Sequence, residues 1–154
     1  MKKRIMLGHI KNRIQNHSYM SQIERDEQRI RATAEHFTPI ELVQKMLDSL
    51  PKELFIDPTK TFIDPACGDG QFLGEVLIRK LENGIDLNVA LDTLYGVDIM
   101  RDNVDLCKKR LGGGNIIMGD TLSPERKLEE QTTKERDLMK KWFGGKSNLK
   151  PFLT

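Results

Sequence analysis

The sequence predicts an α/β fold made of parallel βαβ units, with helices before the sheet and a polar helix after it. Short apolar runs at residues 61–63, 94–98 and 115–118 predict three strands, and segments with helical periodicity lie between them. Strands separated in this way need crossover connections, so they lie parallel and bury both faces of their sheet. The first strand runs directly into a glycine-containing turn at residues 64–70. That is where α/β domains hold nucleotide-like ligands.

The N-terminal segment predicts an arm followed by a helix. Residues 1–20 are basic and weakly patterned, with no acid among them, and are predicted to form the arm. Ser21 with Glu24 three positions later is typical of a capping box, which opens a polar helix toward Ala34. We therefore assign residues 1–35 to a basic arm and helix. The charges of the arm are explained either by contacts with phosphates or by solvation alone.

A second helix is predicted just before the first strand. Thr38 is its expected N-cap, and Pro39 occupies the first helical position. Apolar residues at helical spacing predict its buried face: Leu42, Val43, Met46, Leu47 and Leu50. Pro51 and the turn at residues 57–58 end this helix before the strand begins.

Each predicted strand is followed by a helix with a clear stop signal. An apolar stripe follows the glycine turn and stops at Asn83-Gly84, and a short connecting helix is predicted at residues 85–91. The helix after the second strand stops at the glycines 112–114. From Ser123 to Gly144 the chain is strongly polar and is predicted to form one helix.

The composition limits the class of protein. With 154 residues, 38% apolar and 31% charged, the chain suits one small domain with polar extensions. Its net charge of +2 is too small to indicate nucleic-acid binding by itself. No apolar run approaches the roughly 18 residues of a membrane span, and no signal peptide is evident, so we expect no membrane partner and a cytoplasmic location. Neither the cysteines nor the histidines have metal-ligand spacing, so no metal site is predicted.

The charges around the glycine turn favour a cationic ligand over a phosphate. Gly68, Gly70 and Gly74 give the spacing G-x-G-x-x-x-G, in which the third glycine is misplaced for a dinucleotide-binding loop. Asp64 and Asp69 flank the turn and would repel a phosphate. The same charges attract the ammonium or sulfonium group of S-adenosylmethionine.

Two further acids end the next strands. Asp98 is placed to accept both hydroxyls of a ribose, because an ionised carboxylate only accepts hydrogen bonds. Asp120 follows the third strand at the same edge of the sheet, where it can accept the amino group of adenine. Each also has a purely structural interpretation, Asp98 as a strand-end or helix-cap acid and Asp120 as a turn residue. Thr38 is likewise explained by helix capping alone.

Four segments together resemble one enzyme family. Residues 64–73 (DPACGDGQFL) closely resemble the first motif of adenine-N6 DNA methyltransferases, those of type I restriction-modification systems and their relatives. Residues 36–39 (HFTP) resemble the motif that precedes the glycine loop in these enzymes. Residues 95–99 (YGVDI) and 118–122 (MGDTL) resemble the second and third motifs, in the same order.

This resemblance implies a partial Rossmann-like, S-adenosylmethionine-binding methyltransferase domain over residues 36–122, with a polar C-terminal extension at residues 123–154. It implies these cofactor contacts: Phe37 and Thr38 with the methionine part, Asp64, Ala66, Gly68 and Gly70 around the pocket, Asp98 with the ribose, and Ile99 and Asp120 with the adenine. The family flips an adenine out of DNA and transfers a methyl group to its exocyclic nitrogen.

The catalytic loop of the family is missing from this sequence. That loop reads Asn-Pro-Pro-Tyr or Asp-Pro-Pro-Tyr, whereas the prolines here, at positions 39, 51, 58, 65, 124 and 151, include no adjacent pair. We therefore predict no catalytic residue. A partner chain or a second copy is expected to complete the sheet, and the catalytic loop and DNA recognition are expected from a complete complex. The alternatives are a non-catalytic module that sequesters the cofactor or acts as a decoy, and methyl transfer to RNA or protein.

Overall fold

The fold is described by a computed structural model for residues 2–15 and 38–144. In these two segments the helices are α1 (Lys2–Gln15), α2 (Ile40–Asp48), α3 (Glu53–Ile56), α4 (Gln71–Glu82), α5 (Leu87–Asp92), α6 (Arg101–Leu111) and α7 (Thr133–Phe143). The strands are β1 (Phe62–Asp64), β2 (Leu94–Asp98) and β3 (Asn115–Met118). Neither segment contains a helix long and apolar enough to cross a membrane.

The three strands form one parallel sheet in the order β1-β2-β3. Ile63 is paired with Tyr95 in one ladder, and Gly96 with Ile116 in the other. The prediction of an α/β fold with parallel strands and intervening helices is confirmed. Because all strands point the same way, their carboxyl ends, and the turns that follow them, meet at one edge of the sheet.

Helices cover both faces of the sheet. On one face, α4 lies so close to β2 that a Cβ added to Gly96 would stand 2.9 Å from Cδ1 of Leu73. On the other face, α7 packs Met139 and Trp142 against the middle of the sheet. Trp142 meets the ring of Tyr95 edge-on, with 5.3 Å between the ring centroids. The sheet therefore separates two apolar clusters, as expected for parallel strands buried on both sides.

The basic N-terminal segment differs from its prediction as an arm. Residues 2–15 form α1, which buries Ile10 and Ile14 against the domain. A Cβ added to Gly74 would lie 2.7 Å from Cγ2 of Ile14, so the glycine allows α1 to approach α4. The sequence gives little sign of this packing because α1 buries only these two side chains. The helix predicted from Ser21 to Ala34 lies outside the described residues.

Helix α2 begins later and buries less than predicted. Thr38 is not its cap, because Pro39 occupies the N-cap position and the helix starts at Ile40. Val43 and Leu47 are buried, as predicted. Three other residues of the predicted buried face are instead exposed by 37–48%: Leu42, Met46 and Leu50. The contacts of α2 are mainly with α4, so one narrow stripe of this short helix suffices for its packing.

The polar C-terminal region is only partly helical. A single helix was expected from Ser123 to Gly144, but residues 119–132 form turns and α7 begins at Thr133. The true start is set by a capping box, in which Thr132 accepts from the Glu135 N–H and Glu135 accepts from the Thr132 N–H. This box satisfies two donors that a helix start otherwise leaves unpaired, so it defines the start better than Ser123-Pro124.

Candidate functional site

A cavity of about 370 Å³ lies at the carboxyl ends of the strands. Its walls include these residues predicted to bind a cofactor: Thr38, Asp64, Ala66, Gly68, Asp98, Ile99 and Asp120. Phe37 lies outside the described residues. The volume falls in the range of about 300–1,000 Å³ that is usual for small-molecule sites. Segments far apart in the sequence therefore meet around one hollow.

Gly70 has a different place from the one predicted. It is buried at the N-cap of α4 and is not among the residues that line the cavity. Its φ of +97° lies in the left-handed region, and an added Cβ would stand 2.9 Å from Sγ of Cys107. Gly70 thus shapes the site indirectly, because the lack of a side chain lets the turn pack closely onto α6.

Four N–H groups of the turn after β1 are directed at the protein rather than at the cavity. Each has an acceptor: Ala66 donates to Asp64 Oδ1 at 3.1 Å, Cys67 to the Val97 carbonyl at 2.9 Å, Gly68 to Asp98 Oδ1 at 3.1 Å, and Gly70 to the Cys67 carbonyl at 2.9 Å. A phosphate-binding loop needs such N–H groups to point at the ligand. This geometry agrees with the sequence argument against a pyrophosphate.

Asp98 joins the turn to α6. Its Oδ1 accepts from Gly68, while its Oδ2 accepts from the Met100 N–H and from Nδ2 of Asn103, both at 3.0 Å. A carboxylate has about four acceptor positions, so these bonds occupy most of its capacity. The strand-end interpretation of Asp98 therefore holds. A bidentate grip on a ribose, as predicted from the sequence, would have to share these oxygens with Asn103 or Met100.

Asp64 differs from Asp98 in having few protein partners. Oδ1 accepts from Ala66, and no cation in the described part of the chain forms an ion pair with this carboxylate. Burial raises the pKa of Asp64, the bond from Ala66 opposes that rise, and the charge of Asp98 adds to it. A raised pKa shows that the ionised form is poorly compensated. A cationic ligand in the cavity would supply the missing charge.

Asp120 is held as a turn residue. Its Oδ1 accepts from the Leu122 N–H at 3.1 Å, and its Oδ2 pairs with Arg126 at 3.2 Å. The Arg126 side chain is 60% exposed, so this ion pair contributes little and is easily exchanged. The neighbouring Thr121 donates its hydroxyl to the Pro65 carbonyl at 2.7 Å, which ties this loop to the turn after β1.

Asp69 corrects the sequence interpretation of the turn. It was expected beside Asp64 as a second acid that attracts a cation, but its side chain is fully buried. Nη1 of Arg110, itself buried, lies 3.2 Å from Oδ1 of Asp69 and balances its charge. This pair could not be predicted from the sequence, because the two residues lie on different elements and fit no motif.

The wall opposite the turn is held by Gln71. Nε2 of Gln71 donates to the Thr38 carbonyl at 2.9 Å, so the backbone of Thr38, not its hydroxyl, is fixed at the cavity. Gln71, Asn103 and Arg110 were all missed by sequence reasoning. The first of these follows the glycine turn directly, and its position at the start of a buried helix was the only available signal.

The charge of the site suits a ligand that is cationic or rich in hydrogen-bond donors. Asp64, Asp98 and Asp120 line the cavity, and no Lys, Arg or His of residues 2–15 and 38–144 lines it. Across residues 2–15 and 38–144, no three metal-ligating side chains converge on one point. Exposed Ile99 and Leu122 add apolar surface at the cavity, which suits the flat ring of a nucleoside.

Comparison of the chain with protein-family models and with curated protein sequences gives no match.

Proposed function

We propose that the chain binds S-adenosylmethionine as the cofactor half of an adenine-N6 DNA methyltransferase. The observation that carries this proposal is the meeting of Asp64, Asp98 and Asp120 around one cavity whose lining, among the described residues, contains no cationic side chain. The cofactor joins a cationic methionine part to a ribose and an adenine. The cationic and hydroxyl-bearing parts therefore match the neighbouring carboxylates, and the adenine matches the apolar surface of Ile99 and Leu122.

Different residues of the chain would contact different parts of the cofactor. Asp64 would face the cationic part, and Asp98 would accept from the ribose while it holds Gly68. Ile99 would pack on the adenine ring, and Asp120 would accept the adenine amino group in place of Arg126. When bound, the cofactor supplies a methyl group on a positively charged sulfur. The protein's contribution is to orient that group toward the open side of the cavity.

The sheet supports a partial Rossmann-like architecture. In a Rossmann sheet, with strand order 3-2-1-4-5-6, the first three strands follow the order found here, and the second half of the sheet begins on the far side of the first strand. Within the described part of the chain, β1 pairs only with β2. An open strand edge favours pairing with another strand. A partner chain or a second copy would add that strand and bring the catalytic Pro-Pro loop and the DNA-recognition region.

A second candidate function is a cofactor-binding module without catalysis. One observation favours it: Arg13 of α1 donates to the Arg110 and Leu111 carbonyls of α6, both at 2.9 Å. At least this cation of the basic segment is therefore engaged within the protein and is less available for DNA phosphates than the sequence indicates. Such a module would sequester the cofactor or occupy the place of an active subunit in the cytoplasm.

Calorimetric titration with S-adenosylmethionine tests the shared part of both functions. The wild type is expected to bind, whereas Asp64→Asn and Ala66→Trp are expected to bind at least ten-fold more weakly, because the first removes a charge and the second fills the cavity. Asp86→Asn is the matched control, since Asp86 is an exposed acid paired with Lys3. Equal affinity in all four proteins would place the ligand elsewhere.

A methyl-transfer assay separates the two functions. With labelled cofactor and adenine-containing DNA, the chain alone is expected to transfer nothing, because it has no Pro-Pro loop. Addition of a partner chain that carries this loop is expected to restore transfer if the protein is a methyltransferase subunit. Transfer by the isolated chain would contradict the prediction that catalysis needs a partner.

A further inference from the structure

We propose that Gln71 and Arg110 are positioning residues that hold the glycine turn and Thr38 as facing walls of the cavity. This inference rests on the proposed function, because the cavity that these residues shape is the proposed cofactor site. Gln71 lines that cavity, whereas Arg110 does not and acts through Gln71 and the turn. The cluster lies between the end of α1, the turn before α4, and the segment before α2. It therefore connects three parts of the chain that are distant in sequence.

Arg110 is the centre of the cluster. Its side chain is 1% exposed. Nη1 reaches Asp69 at 3.2 Å, Nη2 reaches Oε1 of Gln71 at 2.6 Å, and Nε and Nη2 reach the Ile14 carbonyl at 2.9 and 2.7 Å. Two of these acceptors, Asp69 and Gln71, belong to the turn and the first residue of α4. The planar guanidinium fixes their separation, which a lysine could not do.

Gln71 transmits this geometry to the other wall. A guanidinium only donates hydrogen bonds, so the oxygen of the Gln71 amide must face Arg110. Its NH₂ group then faces the opposite way and donates to the Thr38 carbonyl at 2.9 Å. Gln71 is 7% exposed, so neither bond is replaced by solvent. The orientation of one amide thus links the position of Thr38 to that of Arg110.

Helix α1 belongs to this arrangement. The last carbonyls of a helix lack partners within it and carry the negative end of the helix dipole. Arg110 uses one of them, at Ile14, as an acceptor for two of its nitrogens. A buried guanidinium is stable only when its donors are matched. Loss of α1 packing would therefore loosen Arg110 and, through it, the turn that shapes the cavity.

The first test uses the change Gln71→Glu. Glutamate keeps an acceptor for Arg110 but cannot donate to the Thr38 carbonyl, which it would instead repel. Gln44→Glu is the matched control, since Gln44 also loses a side-chain donor, to Glu75 at 3.5 Å, but lies away from the cavity. We expect Gln71→Glu to weaken S-adenosylmethionine binding at least ten-fold. We expect Gln44→Glu to lower the melting temperature, because it places a second carboxylate beside buried Glu75, but to leave the affinity within about two-fold. Wild-type affinity in Gln71→Glu would overturn the role of Gln71.

The second test needs no ligand. Amide hydrogen exchange at residues 66–70 is expected to be at least ten-fold faster in Arg110→Lys than in the wild type. Arg79→Lys is the control, because Arg79 ties α4 to α2 through the Gln44 carbonyl at 3.0 Å without reaching the turn. Unchanged exchange in Arg110→Lys would overturn the role of Arg110. If the wild type does not bind the cofactor, the proposed function fails, while this exchange experiment still decides whether Arg110 holds the turn.

Discussion

Arg13 and Arg110 cap the C-terminal ends of each other's helices. Arg13 in α1 donates from Nε to the Arg110 carbonyl and from Nη2 to the Leu111 carbonyl, both at 2.9 Å. Arg110 in α6 donates from Nε to the Ile14 carbonyl at 2.9 Å. Each guanidinium satisfies carbonyls that have no partner in their own helix. Part of the positive charge of the N-terminal segment is therefore used to attach α1 to the domain.

Removal of the Arg13 guanidinium, which caps the C-terminal end of α6, should destabilise the protein. Arg13→Met keeps much of the apolar stem but leaves two carbonyls of α6 without their donor, so we expect a loss of about 1–3 kcal/mol in the free energy of unfolding. Lys11→Met is the control, because Lys11 forms only a half-exposed ion pair with Glu82 and should change stability by less than about 0.5 kcal/mol. Urea denaturation measures both. Similar losses in the two variants would show that the bonds from Arg13 to α6 stabilise the protein no more than an exposed ion pair does.

Gly70→Ala should be more destabilising than an alanine at another glycine of positive φ. At Gly70 the new Cβ meets Sγ of Cys107 at 2.9 Å, whereas at Gly84, with φ +84°, it meets nothing within 4 Å. The backbone cost of about 1 kcal/mol is common to both changes. The clash adds about 1–3 kcal/mol at Gly70 only.

The clash at Gly70 can be removed separately. In a Cys107→Ala background the sulfur is absent, so Gly70→Ala should cost no more than Gly84→Ala in the same background. The free energies of unfolding of both alanine variants and their parents, measured in urea with and without Cys107, test the close packing between the turn and α6. A cost at Gly70 that is unchanged without Cys107 would show that the backbone alone requires this glycine.

Much of the sheet could be predicted from sequence, because its signals are local. The bounds of β2 and β3 match the apolar runs at residues 94–98 and 115–118, and the helix stop at Gly112 is confirmed by its left-handed conformation. β1 was predicted one residue early, at residues 61–63. In each of these cases a run of apolar residues is bounded by turn-forming residues, which requires no knowledge of distant partners.

The contacts that hold the site could not be predicted in this way. The Arg110–Asp69 pair joins residues 41 positions apart, and Arg110 meets Ile14 across 96 positions. Hydrogen bonds at such separations leave no periodic pattern in the sequence. Asp64, Asp98 and Asp120 could be placed at one edge because parallel strands share it, but the partners of Asp98 within that edge depend on how the turn closes.

Alkaline pH should stabilise the protein through Lys80. This buried ammonium donates to the Lys60 carbonyl at 2.7 Å and to Oγ1 of Thr93 at 2.8 Å, and burial lowers its pKa to about 8, although Asp57 opposes the shift. The unfolded chain, with the ordinary pKa of 10.5, binds more protons between these values. Stability contributed by Lys80 is therefore lowest below pH 8 and rises as pH increases toward 10.5, by up to about 3 kcal/mol.

Comparison with Lys80→Met isolates this effect. A hydrogen bond with Cys107 and burial raise the pKa of Cys67, so ionisation of the unfolded thiol lowers stability at high pH. That loss is common to both proteins and cancels in their difference. Urea denaturation across pH 8 to 10.5 should show the wild type gaining on Lys80→Met. A constant difference would show that Lys80 titrates normally in the folded protein.

Acid should release α7 from the sheet through Glu135. Burial alone would raise the pKa of this carboxyl, but hydrogen bonds from Arg101, Thr132 and Met118 lower it below 4.5. The contribution of ionised Glu135 to stability is thus complete above pH 4.5 and is lost as the pH falls through the lowered pKa. Glu135→Gln should destabilise the protein by about 2–3 kcal/mol at neutral pH, because it removes the charge that Arg101 needs.

Trp142 reports this change because it is the one tryptophan of the chain and lies on α7. Its fluorescence should shift to the red at a higher pH in Glu135→Gln than in the wild type. Glu130→Gln, at an exposed position, should behave as the wild type does. Identical acid transitions in all three proteins would contradict a role for Glu135 in holding α7.

Affinity for S-adenosylmethionine should fall with pH as Asp64 becomes protonated. Burial and the charge of Asp98 raise the pKa of Asp64, whereas the Ala66 N–H lowers it, and the net value lies above 3.8. A cationic ligand binds the ionised carboxylate better, so binding is strongest well above that pKa and weakens as pH falls toward it. Asp64→Asn should bind more weakly at neutral pH and lose this dependence.

The ligand itself can show which cation Asp64 faces. S-adenosylhomocysteine keeps the ammonium group but has a neutral sulfur, so its affinity should depend on Asp64 less than that of S-adenosylmethionine if the carboxylate lies near the sulfur. Calorimetric titrations of wild type and Asp64→Asn with both ligands, over a series of pH values, give this comparison. The same pH dependence in wild type and Asp64→Asn would mean that another group controls binding, and Asp64 would then be only a partner of Ala66 in the turn.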